Sequence, residues 1–252
     1  MRERVDDMRC WMRRGRVTGT FLKLPSTAVV DMAAEAFDFA VVDREHSRLT
    51  EGEALAMLAH AHAIGFPAML RLPSLDPAAA NRALEAGAAG IQLSQVGSAA
   101  EVERLRAACE YAPAGSRSIS LGHALAGYGR VPMDEYVAAS AGRPLVIAQI
   151  ESIAAARKAG EILAAGPDVA FVGMADLTVD AGFDRKEVGA LVGEVRSAAE
   201  ASGVVLGGIN LEDDPSVRYS MVSSDVDLLQ RAMLAAGGQA DGVDTSEEGG
   251  VG

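Results

Sequence analysis

Residues 144–178 read PLVIAQIESIAAARKAGEILAAGPDVAFVGMADLT, and this stretch decides the fold. Its first part, 145–150, is a nearly unbroken apolar run behind a proline, which is typical of a strand buried on both faces. Residues 152–165 carry small and apolar side chains at helical spacing, and Gly166-Pro167 ends that segment. A second apolar run follows at 169–173. The stretch therefore predicts a strand, a helix and a second strand.

Each of the two predicted strands is followed by an acid, Glu151 after the first and Asp176 after the second. In a parallel sheet with right-handed crossovers, both acids emerge at the same edge. Two carboxylates in that place would suit a hard divalent cation. Carboxylates that follow strands also cap helices, and the spacing alone leaves both interpretations open.

The same alternation extends along the chain in both directions. Strands are predicted at 19–24, 37–42, 67–72, 90–96, 145–150, 169–173, 204–210 and 219–224, and the clearest helices at 27–36, 50–65, 76–87, 98–111, 152–165 and 225–236. Eight such units predict one (β/α)8 TIM barrel over residues 17–236, preceded by a helical arm at 1–16 that Met8, Trp11 and Met12 could dock. The acidic, glycine-rich residues 237–252 are expected to be disordered. A doubly wound sheet is the alternative, but it would carry a glycine-rich turn after its first strand, where this chain has Leu-Pro-Ser.

Composition narrows the function classes. The net charge is −12 and the basic residues form no stripe, which argues against nucleic acid as a partner. No apolar window has the length of a membrane span and no signal peptide opens the sequence, so we expect no membrane partner and a cytoplasmic location. The two cysteines, Cys10 and Cys109, lie far apart and are expected to be reduced.

Residues 112–143 interrupt the alternation with several glycines and prolines, and they include Arg117, His123 and Tyr128. Long loops in compact domains are usually functional, so this segment is predicted to be a lid.

In a barrel of this kind, side chains at the carboxyl ends of the strands line the active site. Those side chains belong to His46, Arg71, Ser94, Gln95, Gln149, Glu151, Ala175, Asp176 and Asn210. The predicted strand ends hold no lysine, since Lys23 falls inside the first predicted strand, so Schiff-base chemistry is disfavoured.

This set of residues suits proton transfer next to a carbonyl group. Glu151 and Asp176 would hold an ion such as Mg²⁺ or Mn²⁺, with Co²⁺ as a further candidate. Arg71 offers a planar fork for a carboxylate or an enolate oxygen, and His46 would carry the proton, because histidine is the usual general acid and base in enzymes. The structural alternatives are a histidine that only satisfies local hydrogen bonds and an Arg71 that only pairs with Glu45 or another acid.

Five short motifs carry a resemblance to a known family. They are Asp43-x-Glu45-His46, Leu70-Arg71-Leu72-Pro73, Gly115-x-Arg117, Gln149-Ile150-Glu151 and Gly173-x-Ala175-Asp176-Leu177, in that order. Over roughly residues 17–236 the sequence resembles the metal-dependent (class II) pyruvate aldolases of the 4-hydroxy-2-oxoheptanedioate type, also called 2,4-dihydroxyhept-2-ene-1,7-dioate aldolases. These form a branch of the HpcH/HpaI aldolase/citrate lyase family.

The resemblance implies a role for each matched position. Glu151 and Asp176 would bind the divalent ion, His46 would be the base, and Arg71 would steady the keto or enolate oxygen. Gln149 and the backbone at Ala175 would line the pyruvate pocket. It further implies that a 2-oxo acid (pyruvate or oxaloacetate) and an aldehyde are the substrates, and that the chain forms a homotrimer or homohexamer in which subunits exchange their last helix.

The sequence departs from the family pattern around the pocket. The usual Pro-Met after the fourth strand is Ser94-Gln95, an aspartate usual near the end of the third helix is Glu85, and the second arginine of the segment after Arg117 is absent. These changes suggest a different acceptor from the heptanedioate compound. The competing functions are a Claisen-type condensing or citryl/acyl-CoA lyase-like enzyme and a non-catalytic barrel that serves as a scaffold.

Overall fold

A computed structural model describes residues 3–141, 144–209, 211 and 213–238, with the side chains of residues 3–7 excepted. Eight parallel strands form a closed barrel in which each strand pairs with the next and the eighth pairs with the first. The strands are Val17–Leu22 (β1), Phe39–Asp43 (β2), Ala68–Leu72 (β3), Gly90–Leu93 (β4), Leu145–Ile150 (β5), Val169–Val172 (β6), Val205–Ile209 (β7) and Val217–Ser224 (β8). The prediction of a (β/α)8 barrel is confirmed.

Helices connect the strands on the outside. They are Glu3–Arg14 (α1), Thr27–Ala36 (α2), Glu51–Ala63 (α3), Pro77–Ala86 (α4), Ala99–Cys109 (α5), Met133–Ser140 (α6), Ile153–Arg157 (α7), Ala159–Ala164 (α8), Met174–Asp180 (α9), Arg185–Ser202 (α10) and Asp225–Ala236 (α11). Capping residues determine where several of these helices begin. Thr50 and Glu53 form a complete capping box on α3, and Asp76 caps α4 ahead of Pro77.

The core has two layers, because successive side chains of a strand point to opposite faces. Residues such as Ile91 and Val146 point outward and pack under the helices. Residues such as Met69, Phe171 and Tyr219 point inward and fill the barrel. The inward layer is aliphatic and aromatic in the body of the barrel and becomes polar at the carboxyl ends of β2 to β5.

Helix α1 closes the amino end of the barrel. Met8 and Met12 are fully buried in the inner cluster, with Trp11 packed beside them. Arg9 anchors the helix through Asp168, with Nε donating to Oδ1 at 2.8 Å, and through the carbonyl oxygen of Pro144 at 3.0 Å. The docking expected of these apolar residues is observed, and the opposite end of the barrel is left as the open mouth.

Two predicted elements are corrected. The single helix expected at 152–165 is two short helices, α7 and α8, because the backbone at Lys158 leaves the helical region. Strand β1 ends at Leu22, two residues earlier than predicted, so Lys23 follows the strand at the mouth.

The sequence predicts one long loop at 112–143, whereas the described part of this segment contains two short helices. They are a 3₁₀ helix, Ala124–Gly129, and α6, and Tyr111, Ala126 and Tyr136 form a small apolar core of their own. The segment begins after α5 and ends before β5, and its 3₁₀ helix contacts α4 on the outside of the barrel. The proposed disorder of the tail concerns residues that lie almost wholly beyond the described part of the chain.

Candidate active site

Polar side chains occupy inward positions near the carboxyl ends of four consecutive strands. They are Asp43 on β2, Arg71 on β3, Gln92 on β4 and Gln149 on β5, and all four are buried. The strand register places Asp43 beside Arg71 and Arg71 beside Gln92. Each interrupts an otherwise apolar strand, so the barrel carries one polar layer just beneath its mouth.

Asp43 and Arg71 form a two-point ion pair in that layer. The guanidinium Nε donates to Oδ1 at 2.9 Å and Nη2 donates to Oδ2 at 2.5 Å. Asp43 also accepts hydrogen bonds from the backbone N–H groups of Glu45 and His46. Burial raises the pKa of Asp43, but the hydrogen bond and charge of Arg71 and the two N–H groups outweigh burial and leave that pKa below its ordinary value. The sequence interpretation gave Asp43 no role.

Glu45 lies between the proposed arginine and the proposed base. Its Oε2 is 3.4 Å from Nη1 of Arg71 and 3.7 Å from Nε2 of His46, and it accepts a hydrogen bond from Oγ of Ser94 at 2.5 Å. The His46 side chain is 55% exposed, so its ring faces the mouth. The sequence leaves open a purely structural pairing of Arg71 with Glu45. The structure shows this ion pair, together with the two shorter hydrogen bonds from Arg71 to Asp43.

Glu151 is the buried acid on the opposite side of the mouth. Gln149 Nε2 donates to its Oε2, and the backbone N–H of Gln95 donates to its Oε1 at 2.7 Å. Gln95 has a φ of 54°, and this left-handed turn aims its N–H at the acid. Gly173 has to be glycine here, because a Cβ at that position would lie 2.5 Å from Oε2 of Glu151.

The electrostatics around Glu151 favour a cation. Burial raises the pKa of this carboxyl, and the negative charges of Asp176 and Glu45 raise it further against the hydrogen bonds from Gln149 and Gln95. Asp176 lies in the first turn of α9 and is exposed. Asp43 and Glu45 form ion pairs with Arg71, and Asp43 also lies near Lys23, whereas Glu151 and Asp176 form no ion pair within the described part of the chain.

A divalent ion fits this donor set. Glu151 and Asp176 supply hard oxygen ligands, and an ion such as Mg²⁺ would keep further positions for water and substrate. Within the described part of the chain, no group of three or more histidine, cysteine or acidic side chains forms a metal cluster, so the protein would contribute two ligands.

The remaining predicted residues are placed as follows. Ala175 is exposed at the second position of α9, beside Asp176. Gln149 lies in the polar layer and is bonded to Glu151 and Gln92. Asn210 lies outside the described residues. The guanidinium of Arg117 stacks on Tyr111, with its Cζ 4.6 Å from the ring centroid, and its Nε donates to Oδ1 of Asn81 on α4 at 2.8 Å.

Lys23 belongs to the mouth, although sequence reasoning placed it inside a strand. Its ammonium is 3.8 Å from Oδ2 of Asp43, and its side chain is 26% exposed. The prediction that the strand ends hold no lysine is therefore wrong. A signal for the missed residues was present: Asp43 and Gln92 each interrupt an apolar strand near its end, as Arg71 and Gln149 do.

Known proteins resemble this chain in sequence. The model of the family described as HpcH/HpaI aldolase/citrate lyase matches residues 18–217. A hydroxypyruvate/pyruvate aldolase from Rhizorhabdus wittichii is 30% identical over 206 residues, which cover 79% of this chain and 80% of the relative. A protein of the same name from Paraburkholderia phytofirmans is 30% identical over 237 residues, which cover 86% and 90% of the two chains.

Solved structures agree with these sequence matches. The crystal structure of an HpcH/HpaI aldolase from Desulfitobacterium hafniense superimposes with a TM-score of 0.82 at 26% identity, covering 92% of this chain and 95% of that one.

Proposed function

Since the chain belongs to the HpcH/HpaI aldolase/citrate lyase family, we propose that it cleaves or forms 4-hydroxy-2-oxo acids by way of a pyruvate enolate. It is an aldolase-type carbon–carbon lyase. The observation that supports the proposal is the presence, at one barrel mouth, of a buried arginine held by Asp43 and of two acids, Glu151 and Asp176, that form no ion pair among the described residues.

Glu151 and Asp176 would hold the divalent ion, for which Mg²⁺, Mn²⁺ and Co²⁺ are the candidates. Once bound, the ion would supply positive charge next to the carboxylate and keto oxygens of a 2-oxo acid. Glu151 directly follows β5 and Asp176 lies in the first turn of α9, so both proposed ligands are positioned by regular secondary structure.

Arg71 would stabilise the negative charge that develops on the enolate oxygen. Asp43 engages its Nε and Nη2, and Glu45 lies closest to Nη1, so the guanidinium plane is fixed before the substrate arrives. Fixed donors of this kind stabilise a transition state more than a mobile side chain does. The face of the Phe21 ring lies against the same guanidinium, whose Cζ is 4.4 Å from the ring centroid.

His46 is the proposed base. Its exposed ring faces the mouth beside Glu45, and an imidazole is suited to accept a proton from the methyl group of pyruvate and to return it during cleavage. Gln149 and the backbone at Ala175 would contact the 2-oxo acid, with pyruvate or oxaloacetate as the donor and an aldehyde as the acceptor. Hydroxypyruvate is a further donor to test, given the names of the two relatives.

The proposed assembly is a homotrimer or homohexamer. Helix α11 supports it, because Val226, Leu229 and Met233 are exposed and line an apolar groove of about 530 Å³ with Leu24. A second copy of the chain would cover this apolar surface.

The experiment is a retro-aldol assay in which pyruvate release from 4-hydroxy-2-oxo acids is measured with and without EDTA. We expect turnover that EDTA abolishes and that Mn²⁺ or Mg²⁺ restores. Glu151→Gln and Asp176→Asn should lose nearly all of it, whereas Glu161→Gln, an exposed acid on the outer helix α8, should not. Full turnover in EDTA would overturn the metal-assisted mechanism, and cleavage of citryl- or acyl-CoA compounds instead of hydroxy-oxo acids would favour the Claisen-type alternative.

A further inference from the structure

The polar layer contains a side chain for which the proposed mechanism has no use. Gln92 is 0% exposed, on the inward face of β4, and its Nε2 donates to Oε1 of Gln149 at 2.6 Å. Gln149 in turn donates through Nε2 to Glu151. The three side chains therefore form one hydrogen-bonded chain from the interior of the barrel to the proposed metal ligand.

The donor and acceptor in each of these hydrogen bonds follow from Glu151, the last of the three side chains. An ionised carboxylate only accepts hydrogen bonds, so the amide of Gln149 must present its N–H to Glu151 and its oxygen to Gln92. Gln92 must then present its own N–H to that oxygen. This leaves Oε1 of Gln92 as a buried atom with no hydrogen-bond partner among the described residues. A buried carbonyl oxygen without a partner is unfavourable, so its presence indicates that the donor at the other end of the same amide is needed.

Two further groups just after β4 donate hydrogen bonds to acids at the mouth, one to Glu151 and one to Glu45. The extension of β4 supplies the N–H of Gln95 to Glu151, and Ser94 donates to Glu45 on the other side of the mouth. The acid is thus held on both oxygens, by one donor from the β4 backbone and by one amide that a β4 side chain orients. Ile91 and Leu93 on the outward face of the same strand belong to the apolar layer under the helices.

We propose that Gln92 is a positioning residue for the metal site: it fixes the amide of Gln149 so that this amide donates to Glu151 and holds the carboxylate in its ligating orientation. The inference rests on the proposed function, because it takes Glu151 as a ligand of the divalent ion. Residues that orient metal ligands typically change affinity by about 10- to 100-fold when they are removed.

The test is the affinity of the purified protein for Mn²⁺, measured by titration calorimetry at one pH without substrate. Gln92→Met keeps the length of the side chain and removes the donor, and we expect the Kd for Mn²⁺ to rise about tenfold or more. Gln92→Leu provides a second variant if the first does not fold. Ile91→Val is the matched control on β4, expected to lower the melting temperature with the Kd unchanged.

A double-mutant cycle with Gln149→Met separates positioning from packing. If Gln92 acts through Gln149, adding Gln92→Met to Gln149→Met should weaken Mn²⁺ binding no further. Additive effects, or a wild-type Kd in Gln92→Met, would overturn the inference. Retention of Mn²⁺ binding by Glu151→Gln would instead overturn the proposed metal site itself, so the two failures are distinguishable.

Discussion

Arg71 and Asp43 are locked to each other at the barrel mouth by two hydrogen bonds, from Nε to Oδ1 at 2.9 Å and from Nη2 to Oδ2 at 2.5 Å. The pair is buried, and adjacent strands hold its members in register. Two parallel hydrogen bonds between a guanidinium and a carboxylate fix the plane of the guanidinium as well as its distance from the carboxylate. In the proposed mechanism, Asp43 would therefore determine where the guanidinium meets a substrate oxygen.

The first prediction concerns Arg71. Its replacement by alanine should lower kcat by roughly 10² or more, because a fixed donor to the developing enolate charge is lost. Arg71→Lys should not restore the rate, since an ammonium cannot make the two parallel bonds to Asp43. Steady-state retro-aldol kinetics test this, with Arg82→Ala as the control, because Arg82 pairs with Glu51 on the outer helices. A rise in KM alone would make Arg71 a ground-state anchor.

The second prediction concerns Asp43 and acid stability. Its folded-state pKa lies below the ordinary value of 3.8, so the stabilisation from the ionised form is complete above that value and is lost as pH falls through the folded pKa. The melting temperatures of the wild type and of Asp43→Asn should therefore differ by a constant amount from pH 7 to about pH 5 and converge below about pH 4. Calorimetric scans measure this. Asp134→Asn, at an exposed position on α6, should show no such convergence, and a constant gap down to pH 3 for Asp43→Asn would contradict the prediction.

The sequence predicted those parts of the molecule where patterns are local. Strand β5 has the predicted ends, because an apolar run between a proline and an acid admits few alternatives. The position of Glu151 and Asp176 at the mouth could be predicted, because barrel topology alone brings acids after strands to that end. The break at Lys158 had no such signal, because 152–165 is equally consistent with one helix or two.

Asp43 and Gln92 were missed for a different reason. When both faces of a strand are apolar, the sequence does not show which residues point into the barrel. The observed strand register is needed to place Asp43 beside Arg71 on one side and Gln92 beside Arg71 on the other. Lys23 was misplaced because two further residues of β1 seemed to continue the strand, whereas the N–H groups of Lys23 and Leu24 donate to the carboxylate of Asp225 instead.

The third prediction follows from the position of Lys23. A lysine at the mouth makes Schiff-base formation a question to test, and its surroundings argue against it. Nucleophilic lysines are desolvated or lie near other cations, whereas the ammonium of Lys23 is partly exposed and lies 3.8 Å from Asp43. Borohydride added with pyruvate should leave the intact mass and the activity unchanged, as borohydride alone does. A pyruvate-derived mass increase located on Lys23 would show a covalent mechanism.

The fourth prediction concerns assembly through α11. Met233 is 64% exposed and lines the apolar groove, so Met233→Asp should dissociate the proposed oligomer by placing a charge in the interface that we propose. The control is Met32→Asp on α2, where a methionine of similar exposure, 62%, lies outside the groove. Light scattering after size exclusion measures the mass. If Met233→Asp keeps the wild-type mass, α11 is not part of the interface.

The last prediction concerns His46 and the first chemical step. A base that removes a methyl proton from pyruvate to give the enolate acts before any aldehyde is needed. The enzyme with Mn²⁺ or Mg²⁺ should therefore exchange the methyl protons of pyruvate with D₂O when no aldehyde is present. Loss of the general base in His46→Ala should slow exchange by roughly 10²–10⁴. The measurement is the decay of the pyruvate methyl signal in the ¹H NMR spectrum, with Mg²⁺ as the diamagnetic ion.

Two further variants show whether an effect on proton exchange is specific to His46. His60→Ala is the matched control, because His60 pairs with Asp31 at 2.6 Å between the outer helices α2 and α3 and should leave exchange unchanged. Glu45→Gln tests the neighbour of His46, since Glu45 is 3.7 Å from its ring and an effect through that contact should be smaller than the loss of the imidazole. Unchanged exchange in His46→Ala would assign the base to another group, and no exchange in the wild type with metal bound would argue against pyruvate as the donor.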